Sequence, residues 1–532
     1  MSLAVEQPGA VAESHRFSNW LDALDARCER FGDAVNPILV KETRQSLKSR
    51  QFVATFSLIL FAALAWTIAG SLSMMPQIYT SPSAPRMMIG YYAVLALPMM
   101  LVVPLAAYRS LESEIDDGTL ELLSITTLSP WQIVLGKLAS ATLQMLLYFV
   151  TLFPCLAYAY SLRGVDLPTT LLIIGALAVA GMVLTVIGLF FAPIAKGRGG
   201  RVMTMLVLIL ILVLGEYGVS ALVIGMVFYG NPLSSTEILF AVISTCAFAL
   251  VASHLLLTAT AAQLTPETEN RSTAIRLSLL AFTFVTVLIS ATALILLRHR
   301  GVPVYLITLF VIASIWTICG AMMVSERDTI TPRIRRELPQ SFLARLLLTW
   351  LTPGPATGMV FTVSGIFVLT VLQQLSVRWI ATSGAAAGVA IAQLNNYIST
   401  PGVLYASYVV GYLVVVRALM WAVRRRNNPR VEVGLAAFVV VAILAALVPY
   451  SVQLHYYDYQ QINYDPAWQY SNWAFTLFTA LDQGLPSWHV QNILCGAILL
   501  SLIAIVSSWK VTRPRTIATP ENVRRELSQS RS

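Results

Sequence analysis

Residues 109–137 read Arg109-Ser-Leu-Glu-Ser-Glu-Ile-Asp-Asp-Gly-Thr-Leu-Glu-Leu-Leu-Ser-Ile-Thr-Thr-Leu-Ser-Pro-Trp-Gln-Ile-Val-Leu-Gly-Lys137. This polar, acidic segment separates two apolar runs, 88–108 and 138–160. A helix needs about 20 apolar residues to cross a hydrocarbon core of roughly 30 Å, and both runs have that length. Working outward, twelve stretches qualify: 52–73, 88–108, 138–160, 169–194, 202–229, 238–262, 277–297, 303–324, 356–376, 402–423, 433–453 and 488–509. Backbone groups in lipid must be satisfied within their own segment, so these are helices. Their sustained apolarity argues against a β-barrel, whose strands would alternate. Hydrophobic residues make up 57% of the 532 and charged residues 11%, which leaves a soluble fold nowhere to put its apolar surface. The expected fold class is all-α: a polytopic integral membrane protein of about 12 transmembrane helices.

Lysine and arginine set the orientation. With the N-terminus in the cytoplasm, 29 of the 35 basic residues fall on the inner side. Arg86, Arg163, Arg298, Arg300 and Arg378 fall outside, and Arg417 lies within a span. That asymmetry is a strong positive-inside signal and puts both termini in the cytoplasm. The net charge of +9 then faces anionic membrane lipids, and no nucleic-acid partner is needed. Arg298-His-Arg300 is the one irregularity. The first 32 residues are polar and lack the apolar core of a signal peptide. The five cysteines are scattered and imply neither a disulfide framework nor a metal site.

Two amphipathic segments precede the first span. Phe17, Trp20, Leu21, Leu24, Cys28 and Phe31 recur at helical spacing in the first. The second opens on Asn36-Pro37, a natural N-cap followed by proline at the first helical position. It puts Lys41, Arg44 and Lys48 on one face, as a helix lying in the headgroup layer would. In the 109–137 segment, Asp117-Gly118 signals a turn. Thr119-Leu-Glu-Leu-Leu-Ser-Ile makes an apolar-faced short helix. Ser129-Pro130 restarts a helix, with Ser129 as its cap. A short helix held at the membrane surface can fit a groove on a soluble domain, and rigid connections to its flanking spans would carry that domain's motion into the bilayer.

These two segments resemble the signature of ABC-2 type permeases, the membrane subunits of ATP-binding-cassette transporters. The shared elements are a basic amphipathic helix before span 1, an acidic Gly118-Thr-Leu-Glu-Leu-Leu123 segment between spans 2 and 3, and the Leu128-Ser-Pro-Trp-Gln-Ile-Val-Leu-Gly-Lys137 run. The resemblance covers about residues 33–262. It implies a multi-pass protein of the cell (inner or plasma) membrane that moves a substrate using ATP hydrolysis on a separate ATP-binding subunit. ATP and magnesium would bind that partner, and this chain would bind no cofactor. The chain would act as a homodimer or pair with a second permease. The residues implied in coupling are Glu112, Glu114, Asp117, Gly118, Thr119, Leu120, Glu121, Leu122, Leu123, Pro130 and Lys137, with Asn36, Pro37, Lys41, Glu42 and Arg44 in an elbow helix. The expected organisation is 1–51 for the cytoplasmic amphipathic helices, 52–262 for a six-span unit, 263–509 for a further six-span module and 510–532 for a basic tail. No second Gly-Thr-Leu-Glu insert occurs in 263–509. Its main insert, from Ser325, is basic. That module could be an accessory module, a degenerate second half or a dimer surface.

Catalytic motifs are missing. Gly136-Lys137 is followed by leucine and lacks the earlier glycine of a phosphate-binding loop. None of the five histidines is followed by glutamate, so there is no His-Glu-x-x-His metal site. No Gly-x-Ser-x-Gly elbow occurs. The outer loop 73–86 holds no carboxylate, which weighs against an enzyme acting on lipid-linked sugars. The expected role is transport without catalysis. Glu216, in mid-span, is a candidate translocation-path residue, since an intramembrane acid costs about 2.5–3.5 kcal/mol to insert. Its bland reading is a structural hydrogen bond. Arg417 reads as snorkelling to the interface, and His254 as a packing residue. The aromatic outer segment 454–487 reads as an interfacial platform or a lid over an amphiphilic substrate. The rival reading of the whole is an ion-coupled twelve-span secondary transporter, which calls for paired charges or broken helices at the midplane.

Overall fold

The structure is a computed structural model. It describes residues 37–76, 78, 80–118, 129–194, 197–229, 234–266, 269–326, 348–383, 395–425, 431–459 and 464–508. Among these residues there is no strand. The principal helices are α1 (Pro37–Leu47), α2 (Arg50–Ser73), α3 (Ala84–Asp116), α4 (Pro130–Ser161), α5 (Leu167–Phe191), α6 (Arg198–Tyr229) and α7 (Ser235–Leu264). They continue as α8 (Ser272–Leu297), α9 (Gly301–Val324), α10 (Pro355–Thr382), α11 (Thr400–Arg424), α12 (Glu432–Tyr456), the short α13 (Pro466–Gln469) and α14 (Trp473–Asp482), and α15 (Ser487–Ser508).

Among the described residues, eleven helical stretches are long and apolar enough to cross a membrane. One of them, Ser272–Val324, contains both α8 and α9. They are divided at Arg298–Arg300, where Arg298 takes φ +50 and ends α8. The charged triplet that read as irregular is this turn, and each of the twelve apolar runs of the sequence falls on a helix, although the fourth, read to 194, outruns α5, which ends at Phe191, and the last, read to 509, ends outside the described residues.

The helices form two compact units: Met1–Pro266 with Ser278–Val285, and Glu267–Leu277 with Thr286–Ser532. In the first, α3 is central, with 56% of its apolar window buried, against 11% for α2, 17% for α6 and 6% for α7. The exposed side chains of the outer helices are apolar, among them Leu58, Phe61, Ile68 and Leu210. Water would not tolerate that surface, whereas lipid would. The core gathers Met87, Tyr91, Met100, Tyr108, Leu152 and Leu189.

The centre of α3 is irregular for a reason visible in its sequence. Pro104 has no N–H, and its ring would clash with the carbonyl four residues back. The helix widens to a π-turn over Pro98–Val102, and Val103 N–H reaches the Pro98 carbonyl. α5 packs directly on this segment. A Cβ at Gly188 would lie 2.7 Å from the Pro104 carbonyl oxygen, so only glycine lets the two backbones meet. Gly188→Val should destabilise the first unit by about 1–3 kcal/mol. Thermal unfolding of purified protein measures this, and an unchanged midpoint would refute the close approach.

In the second unit, the indole of Trp316 on α9 stacks on Phe361 of α10 at 5.4 Å between centroids, and the Arg276 guanidinium lies 5.7 Å from the Phe361 ring centre.

Candidate functional site

Three elements converge where the polar insert leaves and re-enters the helices: α1, the last turns of α3 and the first turns of α4. Each is positioned by local chemistry. α1 runs over Pro37–Leu47, and residues 50 and 51 of the expected 1–51 amphipathic region belong to α2. Ser49 then caps α2 by accepting from Phe52 N–H at 3.1 Å. α3 runs on to Asp116. Its C-cap, Asp117, gives its N–H to Ser113 O at 2.9 Å, and Gly118 takes φ +67 to end it. α4 starts with a full capping box: Ser129 Oγ accepts from Gln132 N–H, and Gln132 Oε1 accepts from Ser129 N–H at 2.9 Å. Pro130 occupies the first helical position, as its missing N–H allows.

Lys137, about two turns into α4, sits where the three elements meet. Its side chain is 1% exposed. The ammonium lies 3.1 Å from Glu42 Oε1 on α1 and 3.1 Å from Glu114 Oε2 on α3. It also donates to Ser110 Oγ at 2.8 Å and to the Ser110 carbonyl at 3.3 Å. Ser110 Oγ in turn donates to Glu42 Oε2 at 3.1 Å. One buried cation is therefore held by two carboxylates and a hydroxyl from different helices. A buried charge is tolerated only with such pairing and hydrogen bonding. Ser46 and Ser140 face each other at 3.5 Å one turn further along the same α1–α4 seam.

Around this node lie weaker ties. Lys41 reaches Glu114 at 3.3 Å, but Lys41 is 59% exposed and such a pair is worth about 1 kcal/mol or less. Glu112 accepts from the Tyr108 hydroxyl at 3.1 Å. Asp116 pairs with Arg201 at the start of α6. Trp131 meets His254 of α7 edge-on at 5.5 Å. Lys41, Arg44 and Lys48 line one shallow surface on the outer face of α1 with Val40 and Gln45.

Of the residues picked from the sequence, the structure joins Lys41, Glu42, Glu114 and Lys137 in one network and places Pro37 and Pro130 at helix starts. Glu112, Asp117 and Arg44 stand beside that network, and Gly118 ends α3. Asn36, Thr119, Leu120, Glu121, Leu122 and Leu123 lie outside the described residues. Sequence reasoning missed Ser110, Ser46, Ser140 and Gln132. A signal for the first three was present: Ser110 with Glu114, Glu42 with Ser46, and Lys137 with Ser140 are pairs at i,i+3 or i,i+4, and so share helix faces.

Glu216 lies in α6, half-buried, with a partner the sequence did not show. Ser220 Oγ donates to its Oε1 at 2.6 Å, and the Tyr92 hydroxyl lies 3.2 Å from Ser220 Oγ. In the segment 454–487, Tyr464 OH lies 2.7 Å from His489 Nε2 and 3.1 Å from Thr476 Oγ1. Burial pushes the Tyr464 phenol above its ordinary pKa, so it stays neutral at physiological pH. Gln453 and Gln469 bond one another and are buried, so this segment has an ordered polar interior beneath its aromatic surface. Among the described residues, no three His, Cys, Asp or Glu side chains come together as a metal site.

A bundle of long apolar helices, with a braced polar insert between two of its central members, is an all-α multi-pass membrane protein. The family described as ABC-2 family transporter protein matches residues 36–231, from the elbow helix through both anchors of the insert to the end of α6. Over these residues, less than half of the chain, the sequence is similar to that family, and the match supports an ABC-2 type permease, a membrane component of ABC-type transporters. The match stops before α7, short of the residue 262 reached by the resemblance read from the sequence. No curated protein and no solved structure matches the chain.

Proposed function

We propose that this chain is the membrane-spanning permease subunit of an ABC-2 type exporter, in which ATP hydrolysis on a separate nucleotide-binding subunit moves the substrate. The family itself implies pairing with an ATP-binding subunit. The observation that carries the reading is the Lys137 node. It locks both roots of the insert, Glu114 and Lys137, to the elbow helix through Glu42. Force applied to the insert would reach α3, α4 and α1 together, because a buried, fully paired cation does not slide. In this reading the Thr119–Thr126 stretch docks on the ATPase from the cytoplasm, ATP and magnesium stay on that partner, and the basic face of α1 lies against membrane lipid headgroups.

The test is transport and ATPase activity in vesicles holding the chain with the P-loop protein that co-purifies with it. Leu120→Asp and Glu121→Lys should lower transport about tenfold or more while leaving membrane insertion intact. Wild-type transport in both variants would remove the insert from the mechanism, and failure of any P-loop protein to co-purify would remove the ATPase partner. For the rival, an ion-coupled carrier, Glu216 offers little support. The group bonded to it, Ser220 Oγ, is a neutral hydroxyl rather than an opposite charge.

A further inference from the structure

The second unit repeats the packing plan of the first. In the first unit, take α2 to α7 as spans one to six. In the second, take α8, α9, α10, α11, α12 and α15. Beyond the first span, the first unit packs span two on three, four and five, span three on four and six, and span four on five and six. The second unit packs the same seven pairs: α9 on α10, α11 and α12, α10 on α11 and α15, and α11 on α12 and α15. The first spans agree in part, through a smaller contact in the second unit. α2 packs on α3 and α4, and Leu294 of α8 clusters with Tyr305 of α9 and with Val377 and Ile380 of α10. Six helices can be packed in many ways, and helices that merely filled space would have no cause to share seven partnerships in the same chain order.

The polar bracket is repeated too, in other residues. Glu326 lies just past the end of α9, where Glu114 lies in the last turn of α3. The Arg276 side chain, fully buried, donates to Glu326 Oε2 at 2.9 Å, to the carbonyls of Trp350 at 2.6 Å and Thr352 at 2.5 Å, and to Thr357 Oγ1 at 3.3 Å. Glu326 also accepts from Ser272 Oγ at 2.6 Å and from Gly354 N–H at 2.6 Å. So the end of the second span, the approach to the third and the start of the first are tied through one buried ion pair; in the first unit the elbow helix that precedes the first span, through Glu42, stands where the start of the first span stands here. The cation comes from the third span there and from the first span here. The two sequences share no motif at these positions, which is why no repeat is visible in the chain.

We infer that the second unit is a second permease half, and that the Ser272–Arg276–Glu326–Gly354 bracket positions a second contact with an ATP-binding subunit. This rests on the proposed coupling role of the first bracket. One chain would then supply both halves of a transporter and take two ATP-binding subunits.

The experiment is native mass spectrometry of the purified complex between the full chain and its co-purifying P-loop subunit. The expected ratio is one chain to two ATPase subunits. Lys137→Met and Arg276→Met should each reduce this to one to one, with the chain still inserted and monodisperse, and the pair together should abolish binding. Arg276→Lys guards against simple misfolding, since it keeps the charge and should keep partial occupancy of the second contact. A wild-type ratio of one to one, or of two chains to two subunits, would overturn the inference while leaving the proposed function standing. Absence of any bound ATPase would instead overturn the proposed function itself.

Discussion

Lys137→Met is expected to destabilise the first unit by about 3–5 kcal/mol, the usual loss when one member of a buried ion pair is removed. The reason is local. The variant leaves the Glu42 and Glu114 carboxylates facing one another with their shared cation gone, and their side chains are only 10% and 14% exposed. Glu114 would keep Lys41, which is too exposed to compensate. Glu42→Gln and Glu114→Gln should each cost less, about 1–2 kcal/mol, because Lys137 retains one carboxylate and Ser110 in either case. The double variant Glu42→Gln with Lys137→Met should be less damaging than the sum of the singles, by about 1–3 kcal/mol, as expected for residues in one network. Thermal unfolding of the purified protein in detergent, followed by tryptophan fluorescence, gives the four values. A Lys137→Met protein as stable as wild type, or strict additivity, would show that the node is not holding the helices together.

The second large effect is expected at Arg276. Its guanidinium serves a carboxylate, two close carbonyls and a hydroxyl at once, a task that needs a planar fork of donors. A lysine ammonium is a point charge and cannot span them. Arg276→Lys should therefore cost about 2 kcal/mol, and Arg276→Met about 3–5 kcal/mol, since methionine leaves the Glu326 carboxylate without its cation and takes a donor from the Trp350 and Thr352 carbonyls. Proteolysis separates this from a general loss of fold. Cleavage of the 327–347 segment should accelerate at least several-fold in the variants while cleavage in the first unit stays at the wild-type rate. Equal acceleration in both units would mean that the bracket is a global support and does not hold this segment in particular.

The legibility of the fold and of the site differed sharply. Each apolar run announced its own helix, because in lipid the backbone has no other way to satisfy its hydrogen bonds. Ser129-Pro130 and Gly118 marked helix ends for the same kind of local reason, and the structure has a cap, a first-position proline and a left-handed terminus there. Arg298-His-Arg300, the one irregularity in the distribution of basic residues, is a turn between two helices.

The site was legible as a set of residue types and illegible as an arrangement. Glu42 and Lys137 belong to segments singled out from the sequence, yet they are 95 positions apart. Nothing in either segment says that this lysine, and not Lys41 or Lys48, is the buried one. Burial depends on which face of α4 meets α1, and that is set by the packing of three helices. The same holds for Glu216, whose serine lies one turn along the same helix while its tyrosine comes from another. The second bracket could not be read from the sequence, because its arginine and glutamate are 50 positions apart and it is completed by main-chain groups of Trp350, Thr352 and Gly354, which carry no sequence signal.

The sequence by itself determined where the apolar helices lie, the cap that starts α4 and the location of a polar insert, since each follows from hydrogen bonding and hydropathy within a single stretch of chain. Only the tertiary structure decided which cation is buried against which carboxylates, and that two units without a common motif share one order of packing. Those depend on contacts between distant segments, whose partners are chosen by the shape of the whole bundle.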